Sequence, residues 1–172
     1  MNDELTKFAR QTEFRNIISE ENSSDKYDVR KNWEFFWLID PIDGTKEFID
    51  KGDDFTINIA LCQFNKPIFS IVYAPARFEL YSAEKNLGAY LNGKRISVNK
   101  PHGNEINIVA SKSHLNKETK SFIELIKKKY KINLLQFGSS LKICKIAEGV
   151  ADLYPRFGQT MEWDTCAAQL IL

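Results

Sequence analysis

The sequence has little excess charge and few of the features that mark secreted or membrane proteins. Its 24 basic and 23 acidic residues leave a formal net charge of +1, so no broad electrostatic affinity for nucleic acid or for a membrane surface follows. No apolar run approaches the roughly 20 residues of a membrane span, and no secretory leader pattern is present. These absences predict a cytoplasmic protein.

Cysteine and histidine are also scarce. Cys62, Cys144 and Cys166 are odd in number, have no CxxC spacing, and each lies among apolar neighbours. This pattern predicts reduced thiols in the core rather than a disulfide framework or a zinc site. The chain of 172 residues, 43% of them hydrophobic, can bury one sizeable core.

Carboxylates stand where an apolar segment ends. Residues 35–39 form a continuous apolar run, which predicts a buried strand that delivers Asp40 at its carboxyl end, and Pro41 is expected to break the ladder there. Asp43 can point back at the same volume, and residues 44–45 can open a helix whose free amides face an anion. Because magnesium prefers carboxylate oxygens, the segment predicts a site for metal ions and phosphate. Taken alone, both aspartates also fit ordinary turn or capping roles.

Periodicity predicts an antiparallel β region followed by alternating strands and helices. A helix is predicted over residues 2–14, a short strand over 16–19 and an exposed loop over 21–32. Asn92 and Gly93 indicate a type I' hairpin turn. The later strands are predicted at 55–64, 67–74, 79–83, 88–91, 95–98, 106–110, 132–136 and 151–154, and the later helices at 116–129, 139–148 and from 163 onward.

Two motifs carry a resemblance to a known family. Residues 40–45 have the sequence DPIDGT, which resembles the signature of the inositol monophosphatase superfamily of lithium-sensitive, magnesium-dependent phosphatases, and residues 163–168 (WDTCAA) resemble its second motif. The continuation KEFI at residues 46–49 is most similar to the branch that contains the 3'(2'),5'-bisphosphate nucleotidases. Further similarity at 18–21, 111–114, 138–142 and 153–158 extends the resemblance over nearly the whole chain.

The resemblance implies an α/β layered sandwich of the αβαβα type, truncated at both ends. It makes residues 1–172 a single domain, in which 1–104 hold the metal signature and the antiparallel β part. Residues 105–172 form the α/β part with the substrate groups and the last metal ligand. Family members have further helices before this segment and further elements after it, so the resemblance implies an internal fragment of a longer protein.

The resemblance also implies the site. Two or three Mg²⁺ ions would be held by the carboxylates of Glu20, Asp40, Asp43 and Asp164 and by the carbonyl of Ile42. Glu20 and Thr45 are the implied catalytic residues, and Glu21 competes with Glu20 if the register shifts by one residue. Ser139 could instead be a helix N-cap and Lys142 a surface residue. The implied substrate-binding residues are Glu20, Ile42, Asp43, Gly44, Thr45, His114, Ser139, Lys142, Arg156 and Asp164.

The implied reaction is hydrolysis of the 3'-phosphate of adenosine 3',5'-bisphosphate to AMP and phosphate, which clears a by-product of sulfate assimilation. An inositol-phosphate or sugar-phosphate phosphatase and a catalytically inert fragment remain open as alternatives. The partner is then a small nucleotide and not a nucleic-acid polymer. The location is cytoplasmic, with a peripheral position at the inner face of the cell membrane as a variant, and the oligomeric state is left open.

Overall fold

The computed structural model describes residues 16–22, 26–100, 103–111 and 116–172. The predicted helix over residues 2–14 lies outside this range. The nine strands of the described part are β1 (Ile17–Ser19), β2 (Phe35–Asp43), β3 (Thr56–Gln63), β4 (Lys66–Ala74), β5 (Glu79–Glu84), β6 (Gly88–Leu91), β7 (Lys94–Arg95), β8 (Glu105–Ser111) and β9 (Lys131–Phe137). Its helices are α1 (Tyr27–Arg30), α2 (Thr45–Ile49), α3 (Lys117–Lys127), α4 (Leu141–Ala147) and α5 (Glu162–Ile171).

Seven strands form one sheet in which the spatial order follows the chain order from β1 to β7. β1 runs parallel to β2, and the other neighbouring pairs are antiparallel. The turn between β6 and β7 is the predicted hairpin. Asn92 and Gly93 both have positive φ, 48° and 76°, as a type I' turn requires.

A second, smaller sheet holds β8 and β9 in parallel, with α3 as the crossover between them. The strand predicted over 151–154 is reduced to one parallel bridge between Leu153 and Ile108. Pro155 follows directly and has no N–H to donate, so the pairing does not extend. The strand predicted over 95–98 is also shorter than expected: β7 covers only Lys94–Arg95.

The main core lies between one face of the large sheet and the helices α4 and α5. Alternation along β2 shows how the sequence specifies this arrangement. Leu38 packs in the main core with Tyr81 of β5 and Trp163 of α5. Trp37 and Ile39 belong to a smaller apolar cluster on the opposite face of the sheet. Helices α4 and α5 thus cover the face of the sheet that carries the larger apolar cluster, in agreement with the predicted layered architecture.

The strand that carries the first motif does not stop at Pro41. β2 continues to Asp43, and its pairing with β3 shifts between Asp40 and Asp43. Such a bulge accommodates a residue without an N–H donor and re-aims the side chains that follow it. The prediction that Pro41 breaks the ladder is confirmed, whereas the expected end of the strand at Asp40 was wrong, because the strand resumes pairing after a bulge.

Residues 21–32, predicted as a loop, contain more structure than expected. A 3-10 turn covers Glu20–Asn22, and the short helix α1 follows. A helix long and apolar enough to cross a membrane is absent from the described ranges.

Candidate active site

Four acidic side chains from three parts of the chain face one another at the end of β1 and β2. The parallel register of these strands places Glu20 beside Asp40, because each directly follows the last pair of the β1–β2 ladder, Ser19 and Ile39. Asp43 joins them after the bulge, and Asp164 comes from the first turn of α5. The charges that act on the Asp40 carboxyl are those of Asp43, Glu20 and Asp164. Glu20, not Glu21, therefore occupies the position beside Asp40.

Burial and mutual repulsion make these carboxylates costly to ionise. Asp40 is 1% exposed, and burial, followed by the charges of Asp43 and Glu20, raises its pKa to about 8. The Ile42 backbone N–H, 3.1 Å from Asp40 Oδ1, acts in the opposite direction. Burial also raises the pKa values of Asp43 and Glu20. The cluster has the charge and the donor atoms that suit a hard cation.

A buried hydroxyl joins the two ends of this cluster. Ser140 Oγ lies 3.1 Å from Asp43 Oδ2 and 2.6 Å from the Asp164 carbonyl oxygen. Asn58 Nδ2 donates to the same hydroxyl at 2.9 Å, and Thr56 Oγ1 donates to Asn58 Oδ1 at 3.0 Å. This network ties β2, β3, α4 and α5 together at the acidic cluster. Ser140 occupies the N-cap position of α4 but makes no side-chain cap hydrogen bond to the helix, because its hydroxyl is used in this network.

Cationic groups face the acids from the opposite side. Lys142 is 7% exposed, donates from Nζ to the Ser139 carbonyl at 2.6 Å, and lies 5.7 Å from the centroid of the Tyr154 ring. Its burial contradicts the surface alternative. Burial lowers the pKa of Lys142, whereas the charge of Asp43 raises it. Arg156 is exposed and donates from Nη2 to the Gln159 carbonyl at 2.7 Å.

Ser139 combines backbone strain with a free hydroxyl. Its φ is +43°, a left-handed conformation that residues other than glycine seldom adopt. Its Oγ is buried and has no hydrogen-bond partner among the described residues. Strained residues and unpaired polar groups concentrate at functional sites, where a ligand supplies the missing partner.

Both charge types line one cleft. A cleft of about 170 Å³ is lined by Asp43 and Asp164 together with Ser139, Lys142 and Arg156. A neighbouring cleft of about 300 Å³ shares the Tyr154 and Arg156 walls with it. Arg156 therefore stands between two adjoining spaces, and only the first of them borders the acids.

The remaining predicted residues follow the first motif or lie elsewhere. Gly44 has a left-handed φ of 88° and is followed by α2, so the helix predicted at residues 44–45 is present. Thr45 Oγ1 donates to the Ile42 carbonyl at 3.3 Å. His114 lies outside the described residues. Within the ranges the structure describes, no preformed set of three His, Cys, Asp or Glu side chains could hold a metal ion.

Sequence reasoning assigned no role to Asn58 or Thr56. Both lie on the buried side of β3, at alternate positions of a strand whose other buried residues are apolar or cysteine. A polar residue at a core position needs a buried hydrogen-bond partner. Polar residues at core-facing positions of a predicted strand were therefore the signal available in the sequence.

Comparisons with known proteins agree with this geometry. The sequence profile of the inositol monophosphatase family matches residues 4–172. The chain belongs to the inositol monophosphatase family. The predicted membership is confirmed.

Curated relatives within this family are named after one specific enzyme activity. A protein of Buchnera aphidicola subsp. Acyrthosiphon pisum named 3'(2'),5'-bisphosphate nucleotidase CysQ is 42% identical over 158 residues, which cover 91% of this chain and 58% of the relative. The protein of the same name from Escherichia coli K12 is 40% identical over 156 residues, 90% of this chain and 62% of the relative. The chain thus spans about three fifths of the length of these relatives.

Solved structures confirm the predicted fold class. CysQ from Bacteroides thetaiotaomicron, a bacterial member of the inositol monophosphatase family, superimposes with a TM-score of 0.90 at 38% identity, covering 99% of this chain and 69% of that one. The inositol monophosphatase of Thermotoga maritima gives 0.77 at 29% identity, covering 99% and 63%. Both similarities extend over almost the whole of this family member.

Proposed function

We propose that the chain carries the active site of a magnesium-dependent phosphatase that removes the 3'-phosphate of adenosine 3',5'-bisphosphate, giving AMP and phosphate. The observation that carries this proposal is the single cleft lined both by the acids Asp43 and Asp164 and by the cationic side chains of Lys142 and Arg156. A substrate with two phosphates can place one near the acids and the other near the cations. The names of the relatives at 42% and 40% identity support the same substrate.

The acidic side of the cleft suits magnesium. The carboxylates of Glu20, Asp40, Asp43 and Asp164 would hold two or three ions, with the Ile42 carbonyl as a further oxygen ligand. This fits the structure because buried, mutually repelling carboxylates gain most from a cation. When bound, magnesium neutralises phosphate charge and activates the attacking water.

The chain's own groups would then position the reactants. Glu20 is the exposed member of the acidic cluster, so it can reach a water molecule and accept its proton. The Thr45 hydroxyl, held near the Ile42 carbonyl, would orient that water. The amides of Gly44 and Thr45, at the start of α2, have no intrahelical acceptor and would donate to the oxygens of the scissile phosphate.

The basic side of the cleft would hold the second phosphate and the ribose. The Lys142 ammonium and the Arg156 guanidinium offer charge-assisted hydrogen bonds to the 5'-phosphate. The unpaired Ser139 Oγ offers a further contact. His114, which lies outside the described residues, completes the proposed set.

A comparison of reaction rates on two substrates tests this proposal. Purified protein is assayed for phosphate release from adenosine 3',5'-bisphosphate and from inositol 1-phosphate, with and without magnesium. We expect Arg156→Ala to lower kcat/KM for the bisphosphate by about ten- to a hundredfold, as expected for the loss of a charge-assisted hydrogen bond, and to leave the monophosphate rate nearly unchanged.

Three results would contradict the proposal. A preference for inositol 1-phosphate would assign the protein to the inositol-phosphate alternative. Equal losses on both substrates would show that Arg156 does not hold a second phosphate. Absence of phosphate release from either substrate would support the inert alternative. Arg95, an exposed arginine that borders neither of these two clefts, is the matched control for loss of a positive charge.

A further inference from the structure

Two of the three cysteines face each other behind the acidic cluster. Cys62 Sγ on β3 and Cys166 Sγ on α5 are 3.5 Å apart, although the residues are 104 positions apart in sequence. Both line an open cleft of about 640 Å³, which shares only Thr165 with the first cleft described above. Cys144 is fully buried and lines none of these clefts. The pair therefore combines proximity with access, and Cys144 has neither.

A bond between these thiols requires little movement. A disulfide has a sulfur–sulfur distance of about 2.05 Å, so the two atoms must approach by roughly 1.5 Å. Cys62 is 2% exposed, whereas Cys166 is half-buried at the cleft wall, so a small oxidant meets Cys166 first. Cys62 then lies within reach as the resolving thiol.

We infer that Cys62 and Cys166 form an oxidation site at which a hydroperoxide converts the two thiols into one intramolecular disulfide between β3 and α5. In the first step the Cys166 sulfur attacks the peroxide oxygen, the O–O bond breaks, and Cys166 becomes a sulfenic acid while an alcohol or water leaves. In the second step the Cys62 sulfur attacks the Cys166 sulfur. The S–O bond breaks, and the hydroxide takes the Cys62 proton and leaves as water. The two thiols lose two electrons, and the peroxide gains them.

The disulfide would fasten α5 to the sheet. Cys166 is two residues from Asp164 on α5, so the bond would fix the helix that carries one of the proposed metal ligands. A cross-link over so long a stretch of chain also restricts the unfolded state, and it should raise the thermal midpoint by about 5 °C or more. A thiol reductant reverses the change.

Peptide mapping tests this inference without reference to activity. Reduced, purified protein is treated with hydrogen peroxide, its remaining thiols are alkylated, and it is digested with trypsin, which does not cleave between Lys66 and Pro67. Cys62 then lies in the peptide 52–77, Cys166 in 157–172 and Cys144 in 143–145. We expect a dithiothreitol-sensitive linkage between 52–77 and 157–172, with peptide 143–145 alkylated.

Single variants supply the controls. Cys166→Ser and Cys62→Ala should each abolish the linked peptide and the rise in thermal midpoint, whereas Cys144→Ala should retain both. If Cys62→Ala fails to fold, Cys166→Ser carries the same comparison at a half-buried position. Three results would overturn the inference. After peroxide treatment, all three thiols could remain free and become alkylated, the disulfide could involve Cys144, or it could form only between two molecules. Because no substrate is used, the result is independent of the proposed phosphatase activity.

Discussion

Two aspartates of this chain are equally buried and have opposite surroundings. Asp54 and Asp40 are each 1% exposed. Asp54 accepts hydrogen bonds from the Arg77 guanidinium, with Nη2 at 2.5 Å and Nε at 3.1 Å, and from the backbone N–H of Gly138 at 3.1 Å. Asp40 accepts the Ile42 N–H and shares a side-chain hydrogen bond with Glu20, and the charges that act on it are all those of other acids.

The difference separates a carboxylate that the protein itself pairs with a cation from one that suits the proposed metal site. Asp54 is neutralised by the protein itself and fastens the loop before α4 to the strand region. The charged side chains that act on Asp40 are all acids, so its ionised form would gain most from a bound cation. Burial alone does not indicate function; the sign of the neighbouring charges does.

The largest expected effect is on activity at Asp40. Asp40→Asn removes a charged ligand from the proposed metal site and should lower the magnesium-dependent rate by at least about a hundredfold. The free energy of unfolding without metal should stay the same or rise, because the variant removes repulsion among the acids. Initial rates and urea unfolding in EDTA measure the two effects. Wild-type activity in this variant would contradict the metal assignment.

The opposite pattern is expected at Asp54. Asp54→Asn leaves the partly exposed Arg77 without its charged partner and should lower the free energy of unfolding by about 2–3 kcal/mol. Urea denaturation measures this loss. Asp53→Asn, at the exposed neighbouring position, is the control and should change stability by no more than about 0.5 kcal/mol. Equal stability of the two variants would show that the Asp54 ion pair contributes nothing.

A smaller effect is expected from the hydroxyl that joins the acids. Ser140→Ala removes the link between Asp43 and the Asp164 carbonyl and should cost about 1–3 kcal/mol of stability and weaken magnesium affinity about tenfold. Ser70→Ala is a matched control, since Ser70 is fully buried and its Oγ has no partner in the described structure. Magnesium titrations that shift equally in both variants would remove the positioning role of Ser140.

The last expected effect is a pH dependence of the metal-free protein. The folded-state pKa of Asp40 is raised to about 8, from 3.8 in the unfolded chain. The stabilising contribution of its protonated form is therefore complete below about pH 4 and is lost as the pH rises toward 8. In EDTA, unfolding free energy should fall from pH 5 to pH 8, and Asp40→Asn should reduce that fall. An identical slope of unfolding free energy against pH in the wild-type protein and in Asp40→Asn would contradict this assignment to Asp40.

Much of the acidic cluster could be predicted from sequence because it depends on local chemistry. A buried strand followed by DPIDGT leaves few places for Asp40 and Asp43, and the type I' turn at Asn92 and Gly93 follows from residue type alone. The bulge at Pro41 could not be predicted, since it depends on how β3 continues alongside a residue without an N–H.

Contacts between distant segments were also beyond the sequence. Asn58 and Ser140 are 82 positions apart, and nothing in either local pattern specifies that they share a hydrogen bond. The same holds for Asp54 and Gly138, which are 84 positions apart. Such pairs are fixed by the packing of α4 against the sheet, which no local pattern encodes.

A magnesium titration of unfolding free energy in three proteins tests the central claim most directly. Wild-type protein and Asp54→Asn should both be stabilised by magnesium, by about 2.7 kcal/mol at a hundredfold excess over the dissociation constant, although Asp54→Asn starts from a lower value. Asp40→Asn should start at or above the wild-type value and gain much less. If Asp40→Asn gained as much as the wild-type protein, or if magnesium stabilised none of the three, Asp40 would not belong to a metal site.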